Sequence, residues 1–354
     1  MTPMLTGHRL LLSMNNSLII IHPSFDRTWP FVADHFAVLW QPHGELQFIR
    51  LKPDDDRVLG DIIDDGAGIT RLVTLGVPLT EDCPQHFPDL CEMAAYGPYQ
   101  NLITPAIQTA LIKRGVRVYQ HPSEGFWGQS VSEYGLALTL CGLRRIPQLH
   151  HQMLTRLAPW DYEPPNGIGI AGGRGHQFGD DPNFTNGSLH GKRVRIVGAG
   201  NIASRYASFC HMLGADVAAY DPFAQEPNFH RAGSRREWHL DRLVRDAEIF
   251  VPMVPLTDKT RGIVTREHIY ALPRGCLVVM VTRALICNMQ AIRERVLNNE
   301  LALAADVFDI EPLPLNDPLL GRPNVVHTPH NAGRTIQANQ RWAEALADQF
   351  LPTP

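Results

Sequence analysis

Three polar residues in the second half of the chain have types that could share one reaction. Arg283 directly follows an apolar run at 275–281, Glu311 stands before Pro312 just past Asp306, and His330 sits in His-Thr-Pro-His-Asn-Ala-Gly at 327–333. An arginine at a strand end can hold a carboxylate bidentately. Histidine is the usual proton donor and acceptor near neutral pH, and a glutamate beside it orients the ring and favours the imidazolium. Together the three suit proton transfer to a substrate anchored by its negative charge. Taken singly, each also has an ordinary reading: a surface charge, a loop residue and a structural histidine.

Such groups need a scaffold that carries them to one edge, and the stretch 193–221 supplies its pattern. Val194, Ile196 and Val197 form a β-branched run that ends at Gly198, as a buried parallel strand should. Gly198-Ala-Gly200-Asn-Ile-Ala203 opens a helical apolar period (Ile202, Tyr206, Phe209, Met212, Leu213) that stops at Gly214. A second strand runs to Asp221, which lies 18 residues beyond Ala203. Gly198 permits the tight turn, and Gly200 lets the backbone approach a pyrophosphate at the helix N-terminus. Asp221 is where a carboxylate takes a ribose 2′-hydroxyl. Ala203 replaces the third glycine of this dinucleotide-binding pattern. A purely structural glycine turn is the plainer alternative, and it leaves Asp221 unexplained.

The 354 residues predict two domains, and 44% hydrophobic residues suffice for full cores. A net charge of −4 offers no footprint for nucleic acid. Six cysteines without a C-x-x-C pair imply reduced thiols in a cytoplasmic protein and no metal site. The early apolar stretches are too short and broken for a signal peptide or a membrane span. Residues 1–17 read as a loose leader, with Met1 or Met14 as the native start.

Strands are expected at 17–22, 71–75, 91–95 and 116–119, with a helix at 105–114. A helix over 130–146 would be N-capped by Ser130 in a capping box with Glu133 and ended by Pro147. Its small residues Gly135, Ala137 and Gly142 suit close packing within the domain or across a dimer axis. The glycine- and proline-rich stretch 158–190 reads as a surface arm or lid. Further strands at 250–256, 275–281 and 301–306 alternate with helices at 241–247, 266–271 and 289–298. The fold class is therefore α/β, with two doubly wound parallel-sheet domains. Ligands of such sheets sit at the strands' carboxyl ends, which singles out Asp221, Pro255, Arg283 and Asp306.

Six segments in order make the chain resemble the D-isomer-specific 2-hydroxyacid dehydrogenases. They are V-S-E-Y-G-L-A-L-T-L followed by V-G-A-G-N-I-A, V-P-L-T-D-K-T-R-G, P-R-G-C-L-V-V-M-V-T-R-A, D-V-F-D-I-E-P-L-P and T-P-H-N-A-G. The likeness covers residues 90–350 well and 18–90 loosely. It implies a Rossmann-type NAD domain (122–335) and a discontinuous flavodoxin-like substrate domain (1–121 and 336–354), with a cleft between them and a hinge at both crossings.

The resemblance also implies roles. Arg283 binds the substrate carboxylate and carbonyl, His330 exchanges the hydroxyl proton, and Glu311 pairs with His330. Gly198, Gly200, Asn201, Ile202 and Asp221 meet the adenosine and phosphate part of the cofactor. Pro255, Thr260, Thr282, Asp306, His330 and Gly333 line its remainder, with Asp306 facing the nicotinamide carboxamide. Backbone amides at Gly76 and Gly97 meet the substrate carboxylate. Trp127, Trp160 and Trp342 are candidates to close a pocket around a small acid.

An acid at Asp221 opposes a 2′-phosphate, which favours NAD over NADP, although Arg231, Arg235 and Arg236 lie nearby in sequence. The implied reaction interconverts a small 2-ketoacid and its D-2-hydroxyacid, in a homodimer with no membrane partner. Met280, Ala284 and Asn288 depart from the common pattern without removing a catalytic residue. The alternative is an NAD(H)-binding sensor or corepressor-like module without turnover. Formate oxidation is a third reading, against which Glu311 speaks, because formate dehydrogenases pair their histidine with a glutamine.

Overall fold

The computed structural model describes residues 15–121, 125–161 and 179–350. Residues 1–14 of the expected leader and 162–178 of the expected arm lie outside them. The chain forms two compact units, one of residues 1–126 with 336–354 and the other of residues 127–335.

The first unit is built on five parallel strands: β1 (Asn15–Ile21), β2 (Gly44–Arg50), β3 (Arg71–Leu75), β4 (Glu92–Tyr96) and β5 (Arg117–Val118). Their order is β2-β1-β3-β4-β5. Strand β1 is apolar without alternation because both of its faces are covered. Leu18 and Ile20 join the cluster with Leu72, Phe87 and Ile107, while Ile19 and Ile21 are equally buried on the opposite face. Strand β2 and the helix Val32–Trp40 escaped the sequence reading. Strand β2 lies at the sheet edge, where its residues alternate between exposed and half-buried, so it shows no apolar run.

The C-terminal helix Ile336–Ala347 brings Trp342 into an aromatic cluster in this unit. Trp342 lies edge-on to Phe25 and to Tyr96, and is buried there as core. His121 is enclosed by the rings of Trp342, Phe126 and Tyr96 at 4.4, 5.1 and 5.2 Å. Both of its ring nitrogens are buried, with no hydrogen-bond partner among the described residues.

The second unit carries seven parallel strands: β6 (Arg193–Val197), β7 (Asp216–Tyr220), β8 (Arg235–Arg236), β9 (Ile249–Pro252), β10 (Leu277–Met280), β11 (Ala302–Ala305) and β12 (Val325–His327). The order is β12-β11-β10-β9-β6-β7-β8, so the direction of winding reverses between β6 and β9. Both sheets being parallel and flanked by helices, the expected α/β class holds.

The helix expected at 130–146 starts earlier, spanning Gly125–Arg144. Ser130 is therefore interior and forms no capping box: its hydroxyl donates to Trp127 O, and Glu133 accepts from Gln129. The helix ends where Arg145 turns left-handed at φ 53°, and Pro147 sits in the first turn of the next helix, Ile146–Met153. The small residues do pack within the unit. A Cβ on Gly128 would come within 2.6 Å of Asn201, one on Gly142 within 2.8 Å of Leu277, and Gly135 abuts Tyr206, Met253 and Val281.

The His121 box has a consequence for stability. Burial among aromatic rings pushes the imidazole from its ordinary 6.5 down to about 4. The unfolded chain thus takes up a proton that the folded chain refuses. Stability falls as pH drops from about 6.5 to about 4, and no further on this account below that. In His121→Phe the fall in melting temperature across that window should shrink; an unaltered pH slope would refute the assignment.

Candidate active site

The glycine turn after β6 is shaped by two different demands. Gly198 has φ 115°, and a Cβ there would lie 2.9 Å from the Met253 carbonyl oxygen, so both backbone conformation and space require glycine. At Gly200 a Cβ would meet nothing within 4 Å. No group of the described residues fills that space, so the absent side chain leaves an open approach to the backbone. Gly200 caps the helix Asn201–Met212, and no side chain satisfies the first-turn amides. Their hydrogens and the helix dipole are a site for an anion such as a pyrophosphate. These residues fit a dinucleotide.

Asp221 lies one residue past β7. One carboxylate oxygen accepts from Ala199 N at 2.9 Å, and the other accepts from Phe223 N and Ala224 N at 2.9 and 3.1 Å. The acid therefore braces the glycine turn as well as presenting negative charge at the end of the strand. Arg236 is already engaged: it donates to Asp221 O at 3.3 Å and stacks on the Trp238 ring at 3.8 Å.

In the loop after β9, Thr260 donates to Pro255 O at 2.5 Å and accepts from Thr257 N at 2.8 Å, which locks the turn. Thr282 is buried and donates to Pro252 O at 3.2 Å. Both threonines shape the strand ends through hydroxyls turned toward the chain.

The three residues expected to act on a substrate lie past the carboxyl ends of three adjacent strands. Arg283 follows β10, Glu311 follows β11 and His330 follows β12. Glu311 and His330 are brought together: one glutamate oxygen lies 2.6 Å from His330 Nδ1, and the other accepts from Phe308 N at 2.8 Å. With Nδ1 held by the carboxylate, Nε2 is the ring atom left for a substrate. Arg283 is exposed and donates to Thr282 O at 2.8 Å. Among the described residues it forms no ion pair, and no hydrogen bond joins it to Glu311 or His330.

Asp306 braces the loop that carries His330. Its side chain is fully buried and accepts from Thr328 Oγ1 at 2.6 Å, Asn331 N at 3.1 Å and Ala332 N at 2.8 Å. The carboxylate thus ties β11 to the histidine loop. Between these anchors His330 is held in the left-handed region at φ 54°, an uncommon backbone state for a side-chain-bearing residue. Thr328 was missed in the sequence, although a hydroxyl two residues before a candidate histidine was its only local signal. Gly333 makes ordinary contact with Val131 and Trp127, so its lack of a side chain is not a steric necessity.

In the first unit, Gly76 and Gly97 follow β3 and β4. The amide of Gly76 donates to Tyr96 O at 2.6 Å and that of Gly97 to Gln100 O at 2.8 Å. Both of these donors are engaged within the chain. Of the three candidate tryptophans, Trp342 is core, Trp127 is partly buried against the second unit's core, and Trp160 is exposed. No three metal-ligating side chains cluster among the described residues, and no described helix is long and apolar enough to cross a membrane.

Comparison with known proteins adds three findings. Residues 136–332, more than half of the chain, match the family model described as D-isomer specific 2-hydroxyacid dehydrogenase, NAD binding domain. The chain is 27% identical over 242 residues to D-3-phosphoglycerate dehydrogenase of Methanocaldococcus jannaschii, covering 68% of this chain and 42% of that one. It is 24% identical over 325 residues to a glyoxylate reductase of Korarchaeum cryptofilum, covering 90% and 87%. The NAD-complexed D-isomer specific 2-hydroxyacid dehydrogenase of Lactobacillus delbrueckii ssp. bulgaricus shares the fold, with a TM-score of 0.65 at 16% identity over 93% and 94% of the two chains. The chain thus spans about two fifths of the length of the phosphoglycerate dehydrogenases it matches.

The Asp306 bracket is directly testable. Asp306→Asn turns an amide donor toward backbone donors and should cost about 2–4 kcal/mol of stability, since hydrogen bonds to a charged group are worth about 1.5–3 kcal/mol each. Chemical denaturation measures this, and a loss below about 1 kcal/mol would show that the bracket carries little.

Proposed function

The chain belongs to the D-isomer specific 2-hydroxyacid dehydrogenase family, and from that premise we propose that it is an NAD-dependent oxidoreductase interconverting a small 2-ketoacid and its D-2-hydroxyacid. The carrying observation is the Glu311–His330 pair, 2.6 Å apart on the sheet that also holds the glycine turn. When bound, the nicotinamide supplies or accepts the hydride.

The chain's own residues do the rest. In this proposal the first-turn amides after Gly200 hold the pyrophosphate, and Asp221 takes the ribose hydroxyls. Asn201, Ile202, Pro255, Thr260, Thr282 and Gly333 shape the cofactor's bed. Arg283, with no carboxylate partner among the described residues, binds the substrate's carboxylate and polarises its carbonyl. His330 gives its Nε2 proton to the carbonyl oxygen during reduction and takes it back during oxidation. Glu311 holds Nδ1, fixes the ring's orientation and stabilises the imidazolium form that reduction requires. Gly76 and Gly97 enter as turns that shape the substrate side, with their amides already engaged.

The acid-base pair favours a ketoacid over formate. Hydride removal from formate yields carbon dioxide and leaves no alkoxide to protonate, so His330 and Glu311 would have no proton to move.

Asp221 supports NAD over NADP by like-charge repulsion with a 2′-phosphate. The exposed apolar residues Ile146, Met153, Leu154 and Leu157 support a homodimer. The free cysteines support a reducing, cytoplasmic setting.

Oxidation of NADH should be seen with glyoxylate, hydroxypyruvate or a related small 2-ketoacid, and about 10-fold or more slowly with NADPH. NADH binding without turnover on any acid would move the reading to a sensor. His330→Ala should lower turnover by about 10²–10⁴-fold, the usual contribution of a positioned acid-base group, while NADH affinity stays unchanged. Equal loss of both would mark the histidine as structural.

A further inference from the structure

We propose that Arg293 is a positioning residue for His330, acting through Glu311 by tying together the two ends of the loop that carries the glutamate. The inference rests on the reading of His330 as proton donor and acceptor. Between β11 and β12 the chain makes only turns and bends, so no helix or strand fixes Glu311 in place. The helix Met289–Leu297 supplies what the loop lacks.

Arg293 projects from that helix and chelates two aspartates that bracket the glutamate. Its Nε and Nη2 donate to Asp309, the shortest bond being 2.8 Å, and its Nη1 donates to both oxygens of Asp317 at 2.9 and 3.1 Å. Asp309 stands two residues before Glu311 and Asp317 six after it. Asp317 also accepts from Leu319 N at 2.9 Å, which continues the brace toward the return strand.

This arrangement differs from a surface ion pair, which contributes little. The Arg293 side chain is 18% exposed and that of Asp317 only 7%. The planar guanidinium satisfies two carboxylates at once, which a single ammonium cannot do with the same geometry. Without it, two carboxylates would converge with no cation between them, and repulsion would open the loop. The Glu311 carboxylate, set by that loop and by Phe308 N, would then leave His330 Nδ1. Neither Arg293 nor the aspartates bond to His330, so the effect reaches the ring through Glu311.

The test is a double-mutant cycle in the full chain, with kcat, KM and NADH affinity measured for Arg293→Gln, Arg293→Lys, Glu311→Ala and the double variant Arg293→Gln/Glu311→Ala. Arg293→Gln should lower kcat on the order of 10- to 100-fold, as small misplacements of catalytic groups do, with NADH affinity unchanged. In the Glu311→Ala background the same change should cost less than about 2-fold, because its route to the histidine is already cut. Arg293→Lys should recover part of the rate. An equal fold loss in both backgrounds overturns the proposal.

Crystals of Arg293→Gln give a readout independent of turnover. Glu311 should have moved out of hydrogen-bond distance of His330, and a pair still in contact overturns the proposal. If Arg293→Gln does not fold, Asp309→Asn releases one end of the loop alone and is read in the same two ways. Should the unaltered chain reduce no ketoacid, the functional reading fails, while the crystal comparison still decides the role of Arg293.

Discussion

The fully buried carboxylate of Asp306 is the constraint on which the reactive edge depends. A buried carboxylate is tolerated only when donors surround it, and this one takes one hydroxyl and two amides from the segment that follows β12. Those three bonds pull the chain through Thr328, Asn331 and Ala332 and leave His330 between them with a left-handed backbone. The strain of that backbone is borne by the bonds on either side of it. The histidine therefore owes its direction to a residue that makes no contact with its ring.

The same device recurs at the other half of the sheet. Asp221 sits past β7 and reaches across to Ala199 in the glycine turn, as Asp306 sits past β11 and reaches across to the loop beyond β12. In each case an acid at the end of one parallel strand takes backbone amides from the loop of its neighbour. Parallel strands place such loops side by side at one edge, where their amides lack ladder partners. Carboxylates supply the missing acceptors and fix the loops that meet ligands.

Support for this edge comes from packing behind it. The helix Gly125–Arg144 lies so close to the sheet and to the helix Asn201–Met212 that a Cβ at 128 or 142 would press on the Asn201 or Leu277 side chain. Thr139 and Ser132 tie the two helices further, through Tyr206 OH at 2.8 Å and Ile202 O at 2.9 Å. These contacts hold the helix whose N-terminus faces the anion site, so the uncapped amides keep their aim.

Much of this was legible in the linear chain. The run 71–75 and the helix 266–271 were read with the limits they have, because an apolar stretch or a helical period is a local pattern. The glycine turn was legible for the same reason, since strand, turn, helix and acid occur within thirty residues. So was the pairing of Glu311 with His330, although only through the likeness of whole segments.

Other features were invisible. The start of the helix at 125, the edge strand β2 and the inward turn of Asp306 depend on what neighbours cover. The chelate of Arg293 across Asp309 and Asp317 joins residues that are 16 and 24 positions apart. By itself the sequence determined the α/β class and the dinucleotide turn and singled out Arg283, Glu311 and His330 as candidates, because backbone propensity and side-chain chemistry are carried residue by residue. Only the tertiary structure decided which carboxylates serve as braces and which loops they hold, because a side chain's hydrogen-bond partners are set by strand order and not by distance along the chain.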